Sequence, residues 1–397
     1  MSFPSRPPVV AHFALLCLAR TETFIYSVLT NHRRYRPIFL CQHDVGTADL
    51  FPFQPVYSDD YLKRRWSAHA WWQRLQYYFL GRAFHHYDSV LARHRARLLH
   101  LHFGSTGAMI LPISRAFGIP QVTSFYGGDD TLALEQEAWR ARFDRLFRDG
   151  EAFLVEGSQV AARLMAFGCP RERIHVHRIG VDLARIPFRP ASPAAADGRP
   201  RRLLFCGRLV EKKGLGDAIR ALAVARGEGY AAILHVIGDG PLRDAITQQV
   251  RASGLEAEVH FLGVRDYAGF LEELAACDLL IAPSVTAADG ETEGGAPTVI
   301  IEAQAAGKPV LTTRHGDIPE IVRPGESAIV VPERAPQELG RALVDLLRHP
   351  ERWAEMGAAG RRHVEAEHDI HRQMEKLESL YDDLIADAAS GSKNLSS

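Results

Sequence analysis

The chain has 397 residues, too many for one ordinary hydrophobic core, so two domains are expected. Its hydrophobic content of 46% and charged content of 24% are typical of a globular protein. A formal net charge of −1 provides no general attraction for polyanions, so nucleic acid is not expected as a partner.

Short apolar runs alternate with helical patterns along the chain. In the first half the predicted strands are 9–18, 37–41, 98–103, 121–125, 152–155 and 174–179. In the second half they are 202–206, 232–237, 259–262, 279–282, 310–313 and 328–331. Continuous apolar strands separated by helices indicate parallel sheets covered on both faces. The sequence therefore predicts an α/β fold with two doubly wound, Rossmann-like domains.

Composition suggests where these domains begin and end. The first domain is predicted at 1–188, and a linker rich in proline, alanine and polar residues at 189–200. The second domain is predicted at 201–360, followed by a C-terminal helix at 361–388 and a polar, disordered tail at 389–397. Ligands of such sheets bind beyond the carboxyl ends of the strands, here expected in a cleft between the domains.

The five cysteines and one apolar run indicate the cellular compartment of the protein. Cys17, Cys41, Cys169, Cys206 and Cys277 are odd in number, scattered and without metal-ligand spacing, which favours reduced thiols in the cytoplasm. The apolar run 9–19 is too short to span a membrane and is better explained as a buried strand. A cytoplasmic protein is expected.

Two segments of the second half carry the chemistry. Residues 207–214 place Arg208 and Lys213 where a strand ends and a helix begins; arginine can fork onto phosphate oxygens, and lysine adds a point charge. Residues 291–303 pass from a glycine-rich loop into a helix and include Glu302. Together they suit a diphosphate between a ribose and a sugar, as in a nucleotide sugar. The alternatives are surface cations at a turn and a glutamate that interacts with the helix dipole.

These segments resemble the donor-binding half of glycosyltransferase family 4, the retaining GT-B enzymes. Within that family the chain is similar to bacterial exopolysaccharide enzymes of the colanic acid and amylovoran type. The resemblance implies a GT-B fold whose last helix crosses back to the first, acceptor-binding domain. It also implies transfer of a hexose from a nucleotide-diphosphate sugar, with a UDP-sugar favoured and GDP-mannose as the other option. The implied acceptor is a glycan or a lipid-linked oligosaccharide, and neither a metal nor another cofactor is expected.

The resemblance also implies roles for individual residues. Arg208 and Lys213 neutralise the diphosphate leaving group, and Glu302 binds the ribose hydroxyls. The backbone at Val264 and Arg265 holds the nucleobase.

The loop before Glu302 departs from the family pattern. Relatives place two glutamates eight residues apart, but here that position is Gly294 and the glutamate is Glu293. Since glycine tolerates unusual backbone conformations, Glu293 is predicted to meet the transferred sugar. The amides of Gly294, Gly295 and Ala296 are predicted to lie near the β-phosphate or the sugar.

The first half holds the candidate acceptor residues. His100 and His102 alternate along one strand and so face the same side. The resemblance matches His102 to a histidine near the donor sugar, and His102 and Glu293 are the predicted catalytic residues; a satisfied core histidine is the alternative. No metal is implied, because a third ligand at compatible spacing is absent. Glu22 is either an acceptor-binding group or the first acid of a helix.

Asp129, at the end of another predicted strand, either contacts the acceptor or caps the next helix. The segment 61–87 lacks acidic residues and mixes basic with aromatic side chains. It suits peripheral contact with the inner face of the plasma membrane or a polyprenyl-diphosphate-linked acceptor, although ordinary helix packing explains it too.

Two other functions remain open. A glycan phosphorylase would share the fold but needs a lysine that holds pyridoxal phosphate. A non-catalytic nucleotide-sugar-binding subunit or sensor is favoured by the irregular glutamate spacing and by Tyr126, where relatives often carry histidine.

Overall fold

A computed structural model describes residues 7–19, 21–58, 71, 86–127, 133–191, 198–293 and 295–394. The chain divides into two compact units. The first comprises Met1–Tyr126, Asp130–Gly180 and Ile370–Ser397, and the second comprises Gly127–Asp129 and Val181–Asp369. Each unit contains one parallel sheet with helices, which confirms the prediction of two Rossmann-like domains.

The first unit is built on a seven-stranded sheet in the order β3-β2-β1-β4-β5-β6-β7. Its strands are β1 (Val9–Leu16), β2 (Arg36–His43), β3 (Val56–Ser58), β4 (Ala96–His102), β5 (Gln121–Phe125), β6 (Ala152–Val155) and β7 (Ile174–Val176). Its first five described helices are α1 (Thr23–Thr30), α2 (His86–His94), α3 (Gly104–Phe117), α4 (Glu137–Asp149) and α5 (Ser158–Ala166). The short strand β3 was not predicted from the sequence.

The second unit has a six-stranded sheet in the order β10-β9-β8-β11-β12-β13. Its strands are β8 (Arg201–Cys206), β9 (Ala232–Ile237), β10 (Val259–Gly263), β11 (Leu279–Ala282), β12 (Val310–Thr313) and β13 (Ala328–Val331). Its helices are α6 (Leu215–Gly227), α7 (Arg243–Ala252), α8 (Tyr267–Ala276), α9 (Thr298–Ala305), α10 (Ile318–Ile321), α11 (Pro336–Arg348) and α12 (Trp353–Glu367).

The last helix, α13 (Ile370–Asn394), belongs to the first unit. It buries Ile370, Met374, Leu377 and Tyr381 in one cluster with strand residues such as Val10. Their spacing of three and four residues places them on one stripe of the helix. Burial of each such side chain contributes about 1.5–3 kcal/mol, so this stripe docks the helix on the sheet.

The C-terminal region differs from the sequence prediction. The helix expected at 361–388 is two helices, because α12 ends at Glu367 and α13 begins at Ile370. The tail expected to be disordered from 389 is helical as far as Asn394.

The prediction of reduced cysteines is wrong for one pair, because Cys17 and Cys41 form a disulfide. Parallel pairing of β1 with β2 sets Ala14 opposite Cys41 and brings the two cysteine Cα atoms to 5.3 Å. A separation of 24 residues gives no sequence signal for this pairing. Among the described residues, every helix is too short or too polar to cross a bilayer.

Candidate functional site

The candidate donor residues lie where the strand order of the second unit reverses. The chain starts at β8, builds outward through β9 and β10, and then continues on the other side of β8 with β11. The loops after β8 and β11 therefore leave the carboxyl edge of the sheet side by side. In open α/β sheets this reversal point is the usual ligand site.

Two glycines allow the loops at this edge to approach closely. Gly214 has a φ of +67°, and a Cβ there would overlap the carbonyl oxygen of Pro283, in the loop after β11. Gly238 has a φ of +131°, and a Cβ there would overlap the carbonyl oxygen of Gly207. Only glycine adopts these conformations without strain at such distances. The Gly-Asp-Gly turn after β9 is thus a structural element beside the β8 loop.

Glu293 is held at this edge by three side chains. Lys213 Nζ donates to Glu293 Oε2 at 2.8 Å, and Ser284 Oγ donates to Oε1 at 2.8 Å. The backbone amide of Glu293 donates to His315 Nε2 at 3.0 Å, and His315 Nδ1 lies 3.0 Å from Glu333. Burial would raise the pKa of Glu293, but the nearby ammonium of Lys213 keeps it below its usual value. The carboxylate is therefore ionised and fixed.

The remaining cations of the loop surround a second carboxylate. Lys212 Nζ lies 2.5 Å from Glu291 and also donates to the carbonyl of Thr292 at 3.2 Å. Arg208 is 50% exposed and its guanidinium is 3.7 Å from Glu291. The structure thus gathers three cations and two carboxylates that are about 80 residues apart in sequence. The half-exposed Arg208 is available to an anionic ligand.

Glu302 lies in the second turn of α9, because the helix begins at Thr298. A contact with the helix dipole is therefore not its first role. Burial raises the pKa of Glu302 to about 7, although the Tyr267 hydroxyl donates to it and Arg185 lies near. The Arg185 guanidinium stands over the Tyr267 ring at 4.8 Å. Glu302 is a partly protonated carboxyl group that can exchange hydrogen bonds with hydroxyls.

The other predicted donor residues flank this edge. Val264 and Arg265 follow β10 and are exposed, Val264 at 60%. An exposed apolar side chain at a strand end can pack against a flat ring. Gly295 and Ala296 are buried just before α9, and Gly294 lies outside the described residues.

The first unit has its own reversal point between β1 and β4, and Glu22 and His102 lie there. Glu22 precedes α1 and accepts from the Ala19 amide at 2.8 Å. Burial raises its pKa, and that hydrogen bond opposes the shift. Asp129 lies outside the described residues, as does the segment 61–87 except for Trp71, His86 and Tyr87.

His102 ends β4 and is fully buried. Its Nδ1 is 2.8 Å from the Tyr126 hydroxyl, and its Nε2 is 3.0 Å from His12 Nδ1. Burial, with a smaller effect from His32, lowers the pKa of His102 to about 3, so the ring is neutral at physiological pH.

No metal was expected from the sequence, because it shows no third ligand at compatible spacing. That reason is wrong, since a third histidine, His12, lies close to His100 and His102. Nitrogens of His12, His100 and His102 lie within 4.8 Å of one another. Pairing of β1 with β4 sets His12 opposite His100, which neither strand reveals alone. The one available signal was that His12 stands in the apolar run of the first strand. Both ring nitrogens of His100 are engaged, by the Tyr381 hydroxyl and by Ser124 Oγ.

Comparison with known proteins identifies the family of this chain. Residues 33–185 match the family model described as Glycosyltransferase Family 4, and residues 200–349 match the model described as Glycosyl transferases group 1. The amylovoran biosynthesis glycosyltransferase AmsK of Erwinia amylovora is 31% identical over 286 residues, which cover 72% of this chain and 69% of AmsK. The colanic acid biosynthesis glycosyltransferase WcaL of Escherichia coli K12 is 34% identical over 252 residues, which cover 63% of this chain. This chain spans 61% of the length of that WcaL and 60% of the Salmonella typhimurium WcaL.

A solved structure shows the same fold. Anabaena HepE, crystallised with UDP and glucose, superposes with a TM-score of 0.77 at 18% identity, covering 95% of this chain and all of HepE. The fold is that of the GT-B class. The chain belongs to glycosyltransferase family 4.

Proposed function

We propose that this chain is a retaining glycosyltransferase of exopolysaccharide biosynthesis. It transfers a hexose from a nucleotide-diphosphate sugar to a glycan or a lipid-linked oligosaccharide. The observation that carries the proposal is the meeting of Arg208 with Glu291 and of Lys213 with Glu293 at the carboxyl ends of β8 and β11. The relatives WcaL and AmsK are named for colanic acid and amylovoran biosynthesis, and these names support a role in exopolysaccharide biosynthesis.

The donor is proposed to bind the second unit. Arg208 and Lys213 face the diphosphate, where negative charge grows as the bond to the sugar breaks, and prepositioned cations lower the energy of that state. Glu302 accepts the ribose hydroxyls, Val264 and Arg265 flank the base, and the sugar lies near Glu293. These cations take the place of a metal ion at the diphosphate, so the proposed reaction requires no metal ion. The departing phosphate lies on the same face as the acceptor hydroxyl and helps to deprotonate it, which retains the anomeric configuration.

A UDP-sugar is the favoured donor, and GDP-mannose is the second option. HepE was crystallised with UDP and with UDP-glucose. A Corynebacterium glutamicum relative, 34% identical over 210 residues, is named as a GDP-mannose-dependent mannosyltransferase. The acceptor is proposed to bind the first unit near Glu22 and His102. A lipid-linked acceptor would place the enzyme at the cytoplasmic face of the membrane.

Calorimetric titration tests the donor site. UDP, GDP and ADP, followed by their common sugars, are titrated against the wild type, Arg208→Ala and the control Arg251→Ala, which removes an exposed arginine on α7. One nucleotide should bind with a Kd of about micromolar strength and lose about tenfold or more in Arg208→Ala, because a hydrogen bond to a charged group is removed. The control should bind like the wild type.

The outcomes separate the possible functions. Failure of all three nucleotides to bind would refute the glycosyltransferase proposal. Binding without release of the nucleotide product, in the presence of membrane glycolipid extracts and free oligosaccharides, would identify a nucleotide-sugar-binding subunit instead.

A further inference from the structure

A continuous line of hydrogen-bonded side chains runs through the first unit from Glu378 on α13 to Tyr126 after β5. Glu378 Oε1 is 3.1 Å from His32 Nδ1, and His32 Nε2 is 3.0 Å from His12 Nε2. His12 Nδ1 is 3.0 Å from His102 Nε2, and His102 Nδ1 is 2.8 Å from the Tyr126 hydroxyl. These five residues are called the histidine relay below. Each of its three rings uses both nitrogens within the relay.

At the Glu378 end of the relay, the direction of the hydrogen bond is fixed. The Glu378 side chain is only 2% exposed and accepts from the amides of Arg33 at 2.9 Å and Arg34 at 3.1 Å. Burial would raise the pKa of Glu378, but the hydrogen bonds from His32 and these amides lower it to about 2. An ionised carboxylate can only accept hydrogen bonds, so His32 Nδ1 carries a hydrogen.

The direction of this first hydrogen bond determines which nitrogen donates and which accepts in each of the following rings. With His32 neutral, its Nε2 accepts from His12 Nε2–H, because a neutral imidazole has one donor and one acceptor nitrogen. For the same reason His12 Nδ1 accepts from His102 Nε2–H. His102 Nδ1 is then left as an acceptor, and it receives the Tyr126 hydroxyl.

We propose that Glu378, acting through His32 and His12, sets the tautomer of His102 and lets it accept a proton at Nδ1. Glu378, His32 and His12 are positioning residues, because they act through His102. The relay itself follows from the structure of the first unit. Its part in turnover, as the acceptor of a proton from a bound hydroxyl, rests on the proposed glycosyltransferase function.

The proton transfer balances along the relay. A hydroxyl bound beside Tyr126 gives its proton to the Tyr126 oxygen as the tyrosine gives its own to His102 Nδ1. The proton on His102 Nε2 then passes to His12 Nδ1, and the proton on His12 Nε2 passes to His32 Nε2. One proton has entered, and the positive charge rests on His32 beside the Glu378 carboxylate.

This arrangement overcomes the cost of placing a charge on His102. A buried, isolated imidazole is a poor base because its cation loses the solvation of water. In the relay the charge finishes 3.1 Å from a carboxylate, where a charge-assisted hydrogen bond stabilises it. The outer end of the relay meets a small cavity, which Tyr126 lines with Phe24 and Arg178.

A metal site on the nearby histidines agrees less well with the contacts. His12, His100 and His102 would have to give up ring nitrogens that already bond to His32, Tyr381, Ser124 or Tyr126. The relay leaves all of these bonds in place. Metal binding by these three histidines is therefore one of the results that the test below can give, and it is not what we propose.

Nitrogen-15 NMR of the histidine side chains in the full chain tests the relay directly, without activity. Wild-type His102 should be protonated at Nε2 and not at Nδ1. In Glu378→Gln and His12→Phe the Nδ1–H form should appear, because the fixed acceptor at one end or the link to it is lost. The control His100→Gln removes a histidine of the same strand and face, and His102 should keep its Nε2–H form.

Three results would overturn the proposal: Nδ1–H on wild-type His102, an unchanged tautomer in both relay variants, or a joint shift of His12, His100 and His102 on adding Zn²⁺. The first and third need only the wild type, so a misfolded variant does not prevent a decision. Circular dichroism of each variant shows whether it folds.

Steady-state kinetics tests the part in turnover. His12→Phe and Glu378→Gln should lower kcat on the order of tenfold or more, as loss of assisted proton transfer does, with the donor KM unchanged. An unchanged kcat in both folded variants would refute the part in turnover. A wild type that neither binds nor turns over any nucleotide sugar would instead refute the proposed function, and the NMR result would still stand for the relay.

Discussion

Replacing Glu302 by glutamine should stabilise the folded second unit at high pH and have little effect at low pH. Burial raises the pKa of Glu302 from its usual 4.5 to about 7. The folded state then holds a proton that the unfolded state has lost between these two pKa values, so stability falls as pH rises through this window. Each pKa unit corresponds to about 1.4 kcal/mol, so the loss is about 3 kcal/mol at most, since the side chain keeps partial contact with water.

Glutamine stays neutral throughout, so the stability difference between Glu302→Gln and the wild type should grow from near zero at low pH to about 3 kcal/mol above pH 7. Urea unfolding in steps between about pH 5 and pH 8 measures this difference. Glu272→Gln, which changes an exposed glutamate on the neighbouring helix α8, serves as the control and should show no such trend. A Glu302→Gln difference that stays constant with pH would refute the reasoning from burial.

Three further predictions concern the edge of the second sheet. A double-mutant cycle of Lys213→Met and Glu293→Gln should show a coupling of about 1–2 kcal/mol in urea unfolding, because the pair is largely buried; additive effects would contradict this. Gly238→Ala should cost about 3 kcal/mol or more, since its Cβ would overlap a backbone oxygen, whereas Gly229→Ala, with positive φ but open space, should cost only about 1 kcal/mol. His315→Ala should weaken nucleotide binding about tenfold in calorimetry, because the amide of Glu293 loses its acceptor; unchanged affinity would show that the loop is held without it.

The strands and the donor loops could be predicted because their signals are local. An apolar run between helical patterns indicates a buried parallel strand, and all twelve predicted strands correspond to strands of the structure. Arg208 and Lys213 stand out because a loop of eight residues holds both cations after a strand. The ends of elements are less predictable from sequence: the helix expected at 361–388 is divided near Asp369. Helix ends depend on tertiary contacts as well as on propensity.

The sequence by itself determined the fold class, the two-domain organisation and the segments that gather charge at strand ends, since these depend on patterns within about ten residues. Only the tertiary structure decided which distant side chains meet. The bond between His12 and His102 joins residues 90 apart, and the bond between His32 and Glu378 joins residues 346 apart. The disulfide of Cys17 with Cys41 likewise depends on neighbouring strands. Strand register and the docking of the last helix bring these groups together, and neither is encoded in local periodicity.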